Sequence, residues 1–370
     1  MKIFVFGAGA SHSAHTKKLP KHKIPPVTRG IFQGCNQYDI HYAKEIGLSI
    51  HDLNEIEDDS ANFYDPTGVN IEKWLTTRWE EAHVMKPGKH KHAQFSKLAK
   101  IAFYIWILFL RVSECVYKNE DNCRHTVYRT LLNKIHSKKE DFGIINFNYD
   151  LLLDLTFSDV FNVNFDTFDD YIKNDYLKPH GSVNWFTTET SKNLLLSKTD
   201  DFDVGLHMRV AMSKMYKRKM MDLDQHKVIN PNDLNLYNIL QIYRRLSYQL
   251  FYPLIILPIY KDSMVVEDQI IKRAHDMFKT AKEIYLVGYR ATDETASKLF
   301  TYIPDGTAKI HIVNSERSSV EVAEYIQKKY PNKFRGMCIW NNGFKEFVHN
   351  YLEQGPYVRL ESREKECYES

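Results

Sequence analysis

Three polar residues have the types and the setting to do chemistry. Asn148 and Asp150 follow Phe142-Gly143-Ile144-Ile145-Asn146-Phe147, whose branched and aromatic side chains predict a buried parallel strand. They precede Leu151-Leu152-Leu153-Asp154-Leu155, which starts a helix. Polar groups between a buried strand's carboxyl end and a helix are where open α/β sheets place ligand contacts. The same residues could instead only cap that helix. His180 is held between Pro179 and Gly181, a stiff turn that presents an imidazole instead of burying it on an apolar helix face. An amide, a carboxylate and an imidazole together can orient a hydroxyl or a water and accept its proton near neutral pH.

Such groups need a bound substrate, and the start of the chain offers a place for one. Lys2-Ile3-Phe4-Val5-Phe6 reads as a second buried strand and runs directly into Gly7-Ala8-Gly9-Ala10-Ser11. Glycines let the backbone turn tightly and lie close to a bulky charged group, while the following segment offers helix N-terminal amides to a phosphate. This is the opening of a dinucleotide site, with His12 where the full fingerprint carries its third glycine.

The elements that must hold these residues follow from periodicity. Residues 36–140 lose strand character and show helical spacing over Tyr38–Ile56, Ile71–His83, Ala93–Tyr117 and His125–Ser137, a helical insertion. Asn162–Phe168 reads as another strand. Residues 194–232 are irregular. Their basic part, 207–227, is a surface loop, a partner surface or a nucleic-acid contact, and few aromatics are interleaved there for base stacking. From Leu234 the order becomes regular: strands at Pro253–Pro258, Glu283–Val287, Ala308–Val313 and Phe334–Ile339 alternate with helices, which means βαβ units and a parallel sheet. Three of these strands end in Ile259-Tyr260-Lys261, Gly288-Tyr289-Arg290 and Asn314-Ser315, suited to a phosphate or a ribose. Residues 353–370 are charged and expected to fray.

Composition bounds the rest. The 370 residues are 43% hydrophobic, enough for a substantial core, and a net charge of +3 does not by itself imply a nucleic-acid partner. Five cysteines form no CxxC pair, so no zinc ribbon is visible, and their odd number fits a reducing cytosol. The expectation is a cytoplasmic chain without a targeting segment, since the first strand begins at residue 2. The apolar run Ile101–Val112 contains Arg111 and is too short to span a bilayer.

Gly7-Ala8-Gly9-Ala10-Ser11, Asn146-Phe147-Asn148-Tyr149-Asp150, Lys178-Pro179-His180-Gly181-Ser182, Leu286-Val287-Gly288-Tyr289-Arg290 and Ile310-His311-Ile312-Val313-Asn314 occur in sirtuin order. The chain resembles a sirtuin-like NAD-binding domain, in particular the bacterial branch of antiphage defence systems. The resemblance covers residues 1 to about 350. It implies an α/β fold with a Rossmann-like parallel sheet interrupted by a helical subdomain, over residues 1–352. It puts Gly7, Ala8, Gly9 and Ser11 around the pyrophosphate, Gly288 and Tyr289 near the phosphates and ribose, and Asn314 on the adenosine ribose. Asn148 and Asp150 then match the polar pair around the nicotinamide ribose, and His180 matches the catalytic histidine.

The protein deacylases of that family carry a four-cysteine zinc module, which no cysteine spacing here supplies. That lowers deacylation and raises plain cleavage of NAD. The activity implied is NAD hydrolysis to nicotinamide and ADP-ribose, with NAD as substrate, no zinc, and depletion of NAD in abortive infection as the role. An NAD-dependent protein deacylase and a non-catalytic nucleotide sensor are the alternatives. A toxic hydrolase must be held inactive, so the resemblance also implies gating by homo-oligomerisation or by a partner ATPase or helicase.

Overall fold

The fold was read from a computed structural model, which describes residues 1–14, 24, 43–44, 48–65, 68–69, 71–85, 89–117, 126–190, 226–235, 237–239, 241, 249–255, 268–291, 294–351 and 358–360. The first strand, β1 (Lys2–Phe6), is buried along Ile3 to Phe6 and leads into α1 (Ala8–Ser13). Next come α2 (Ile50–Ala61), a two-strand hairpin of β2 (Tyr64–Asp65) and β3 (Gly68–Val69), α3 (Ile71–Val84), α4 (Lys89–Tyr117) and α5 (Val127–Ser137). A capping box between Ser49 and Asp52 starts α2, and the Thr126 hydroxyl starts α5.

The middle of the chain forms β4 (Phe142–Asn146), α6 (Leu152–Phe161), α7 (Phe168–Lys173), β5 (Tyr176–Leu177), β6 (Gly181–Thr190), β7 (His226–Val228) and β8 (Gln249–Ile255). The last part is α8 (Asp268–Thr280), β9 (Glu283–Val287), α9 (Glu294–Thr301), β10 (Ala308–Val313), α10 (Glu316–Lys329), β11 (Phe334–Trp340), α11 (Gly343–Asn350) and β12 (Val358–Leu360).

The main sheet has the order β12-β11-β10-β9-β1-β4-β5. Its six strands from β11 to β5 are parallel, and β12 is an antiparallel edge strand. Numbered by their own succession, the parallel strands run 3-2-1-4-5-6, the doubly wound Rossmann order. From β1 the chain builds outward to β4 and β5, then returns to the other side of β1 as β9. The order therefore reverses between β1 and β9, and the crevice outside the carboxyl ends of those strands is the ligand position of such sheets.

Helices cover both faces, which is why the strands are continuous apolar runs. The α5 residues Val127, Tyr128, Leu131, Leu132 and Ile135 belong to the same buried cluster as Ile3–Phe6, Ile144 and Ile284–Val287. The last helix of the 36–140 stretch is thus packed into the sheet's own core. Each such Leu, Ile or Phe contributes roughly 1.5–3 kcal/mol through burial. Among the described residues, no helix is long and apolar enough to cross a membrane.

Three sequence expectations are corrected. Asn162, at φ 52°, closes α6 in the left-handed region, and a Thr167–Asp170 capping box starts α7, so Asn162–Phe168 joins two helices and is not a strand. Of the strand expected at Pro253–Pro258, the described part, 253–255, is the end of β8, which pairs antiparallel with β6 in a separate three-stranded sheet. Part of the C-terminal stretch expected to fray pairs with β11 at Met337–Ile339. The basic segment 207–225, Pro25-Pro26, Tyr260 and Lys261 lie outside the described residues.

Candidate functional site

The first glycine turn packs against the turn after β9. Gly7 N–H donates to Val287 O at 3.0 Å, Gly9 N–H to Gly288 O at 3.0 Å, and Ala10 N–H to Gly7 O at 2.9 Å. Gly288 sits at φ +59°, and a Cβ there would lie 2.0 Å from Ala10 N. A Cβ on Gly9 would meet the Gly288 oxygen at 3.0 Å and its Cα at 3.1 Å. Contact between the two backbone turns therefore favours glycine at position 9. The three amides are committed to carbonyls of the chain.

Ser11 faces inward. Its Oγ lies 3.0 Å from Tyr128 Oη and accepts a bond from Asn148 Nδ2 at 3.0 Å, all of it buried. The sequence expectation put Ser11 at a pyrophosphate; in the fold its hydroxyl joins Asn148 and Tyr128. Asn148 Nδ2 also donates to Gly7 O at 3.0 Å, and Asn148 N–H to Asn146 Oδ1 at 3.0 Å. Both amide hydrogens of Asn148 therefore fasten the first turn to the end of β4.

Asp150 is 1% exposed. Its Oδ1 accepts Leu152 N–H at 3.1 Å, the helix-capping role foreseen as the plain alternative, whereas its Oδ2 has no hydrogen-bond partner in the protein. Burial pushes the carboxyl above the usual carboxylate range, against the opposing pull of Lys178, the Leu152 amide and Ser11. A buried carboxylate oxygen left open is costly unless a ligand or water takes it.

His180 ends a turn after β5 and precedes β6. It is 8% exposed, which corrects the expectation of an imidazole presented to solvent. Burial pushes the imidazole down to about 4, so it is neutral at pH 7. Its ring lies edge-on to Phe147 at 4.7 Å, and the other face of the site is Tyr289, stacked on Phe147 at 4.6 Å and 7°. Phe147 thus joins the His180 turn to the Gly288 turn. Asn314 follows β10 and donates from Nδ2 to Tyr289 O at 3.3 Å, which fixes that turn from its far side.

Sequence reasoning missed Tyr128, Asp154 and Lys178. Asp154 and Lys178 are completely buried and 3.0 Å apart (Nζ to Oδ2). The Asp154 signal was legible: it is a lone charge inside the apolar run Leu151–Leu155, and such a charge is rarely buried without a partner. Tyr128 lies on the buried stripe of α5, where a phenol needs a hydrogen-bond partner.

The structure brings Gly7, Gly9, Ser11, Asn148, Asp150, His180, Gly288, Tyr289 and Asn314 to the carboxyl ends of β1, β4, β9 and β10 or the turn after β5. Ala8 opens α1 there, half-buried. Asp150 and His180 thus follow the adjacent parallel strands β4 and β5, a carboxylate oxygen open to a hydroxyl or water on one turn and a neutral imidazole on the other.

No protein-family profile and no curated protein matches the chain. Among solved structures it is similar to that of Sir2Tm bound to a propionylated peptide, with a TM-score of 0.36 and 11% identity over 74% of this chain and 87% of that one. So distant a likeness leaves function to the site's own geometry.

Proposed function

We propose that this chain is an NAD hydrolase that cleaves the bond between nicotinamide and ribose. The observation that carries the reading is the open, buried Oδ2 of Asp150 after β4, the strand next to β1 at the Rossmann switch point, within the motif set that resembles a sirtuin-like site. Cleavage passes through an oxocarbenium-like state at the anomeric carbon, so the site must hold the ribose and place a nucleophile. Nicotinamide leaves as a neutral group, and no general acid is needed. In this reading Asp150 Oδ2 accepts a ribose hydroxyl or the attacking water, and neutral His180 takes the proton. Asn148, with its amide hydrogens committed, acts through the position of Gly7 and Ser11.

A neutral imidazole and a buried carboxylate both suit this chemistry, as acceptors for a reaction in which positive charge develops. Depletion of NAD in infected cells, gated by self-assembly or by a partner ATPase or helicase, rests on the motif resemblance alone. Following nicotinamide release with NAD in large excess over enzyme tests the activity: many turnovers support it, binding of NAD without release makes the chain a sensor, and release only with an acylated peptide makes it a deacylase.

A further inference from the structure

Lys178 and Asp154 form a closed buried network. Lys178 Nζ donates to Asp154 Oδ2 at 3.0 Å, to Asp154 Oδ1 at 3.2 Å and to the carbonyl oxygen of Asp150 at 2.8 Å, which uses the three hydrogens of an ammonium. Asp154 also accepts Tyr171 Oη at 3.1 Å and Tyr176 Oη at 2.8 Å. Such a pair is no guarantee of stability, since well-packed apolar replacements often do as well. Its placement shows what else it does.

The segment 178–183 carries His180 and is clasped to the segment 149–154 at both ends. On one side is Lys178, bonded to Asp150 O and Asp154. On the other, Val183 N–H donates to Tyr149 O at 3.1 Å and Ser182 Oγ to the same oxygen at 3.4 Å. Gly181, at φ +84° with its Cα side 2.0 Å (as a built Cβ) from Leu254 O, makes the turn between the two clasps. His180 thus sits in a turn bonded on both sides to the residues that flank Asp150, with Gly181 also paired to β8.

We propose that the Lys178–Asp154 ion pair is the positioning device of the site, setting the His180 imidazole against the Asp150 carboxylate. This rests on the proposed hydrolase reading for its effect on rate, but not for its effect on His180 itself. The titratable groups facing this buried region are Asp150 and Asp154 at α6, Lys178 in the strap, Tyr171 of α7, Tyr176 of β5, Tyr128 of α5 and Tyr149 after β4. Lys178 also lowers the Asp150 carboxyl, the largest influence opposing its burial, so the same ammonium favours the ionised acceptor.

The test compares the parent with Lys178→Met/Asp154→Leu, which removes both charges together and leaves neither buried alone. His180 is followed by its imidazole carbon-bound proton in NMR, assigned with His180→Gln, and nicotinamide release is measured on the same preparations. The expected result is a folded variant in which His180 titrates well above about 4, as the strap loosens and water reaches the ring. The turnover number falls about 10²-fold with KM within about threefold, the loss typical of a misplaced reacting group. Tyr176→Phe, which takes one of the two donors from Asp154 Oδ2 and keeps the pair, gives a smaller change in the same direction and serves if the double variant does not fold. Unchanged His180 titration in the folded variants overturns the proposal, as does unchanged turnover. If the parent itself releases no nicotinamide, the hydrolase reading fails while the titration still decides the positioning.

Discussion

Gly9 donates its amide to the carbonyl oxygen of Gly288 at 3.0 Å, and the two glycine turns, 279 residues apart in sequence, close on each other through that bond. Gly288→Ala sets a Cβ 2.0 Å from Ala10 N at a left-handed φ and is expected to cost at least about 1–3 kcal/mol. Gly306→Ala is the control: it has a similar φ of +66° with nothing within 4 Å, and loses only the left-handed preference, roughly 1 kcal/mol. Equal melting temperatures for the two variants would mean the turns do not touch as described. Gly9→Val, for the same reason, is expected to lose stability as well as NAD affinity.

His180 gives a pH signature in stability. Its folded value of about 4 lies below the ordinary 6.5, so the unfolded chain takes up a proton first as pH falls. The sign is therefore a loss of stability between about pH 6.5 and 4, up to about 3 kcal/mol below that window. His180→Gln removes this component. Thermal unfolding across that range should show a shallower acid decline in the variant, and parallel curves would contradict the burial of the imidazole.

The same burial moves the acid limb of catalysis. If neutral His180 is the base, turnover stays flat from about pH 8 down past 6.5 and its His180-dependent fall comes only towards about 4, where the imidazole protonates. A limb centred at 6.5 would mark an ordinary, solvated histidine.

Asp150 trades stability for function. Its carboxyl is raised above 3.8, so ionisation favours the unfolded chain, and the cost is present above the folded value and absent below the unfolded one. Asp150→Asn is expected to unfold no earlier than the parent at pH 7 while losing turnover about 10²-fold or more. A variant with full activity, or one destabilised at pH 7, would remove Asp150 from the site.

Much of the sheet was legible in the chain. Glu283–Val287 and Ala308–Val313 are buried strands, as the uniform apolar runs demanded, and Gly7, Asn148 and Gly288 end up at one crevice because strand ends in a doubly wound sheet have nowhere else to go. What the pattern could not give is which way a polar atom points. Gly9 and Ser11 were read only as ligand contacts, yet they also tie the protein to itself, since the same small residues serve close approach to a phosphate or to another backbone. Lys178 and Asp154 were passed over because Lys178 entered only as the neighbour of His180 in its motif and Asp154 only as part of a helix start. Only their meeting 24 residues apart gives them meaning.

The most direct test of the account is nicotinamide release from NAD by the purified chain, run beside His180→Ala and Asn148→Ala at matched folded concentration. The account predicts nicotinamide and ADP-ribose in equal amounts and in excess over enzyme for the parent. Each variant should lose about 10²–10⁴-fold in turnover, with NAD affinity within about tenfold. No release beyond enzyme stoichiometry, or two stable and fully active alanine variants, would contradict it.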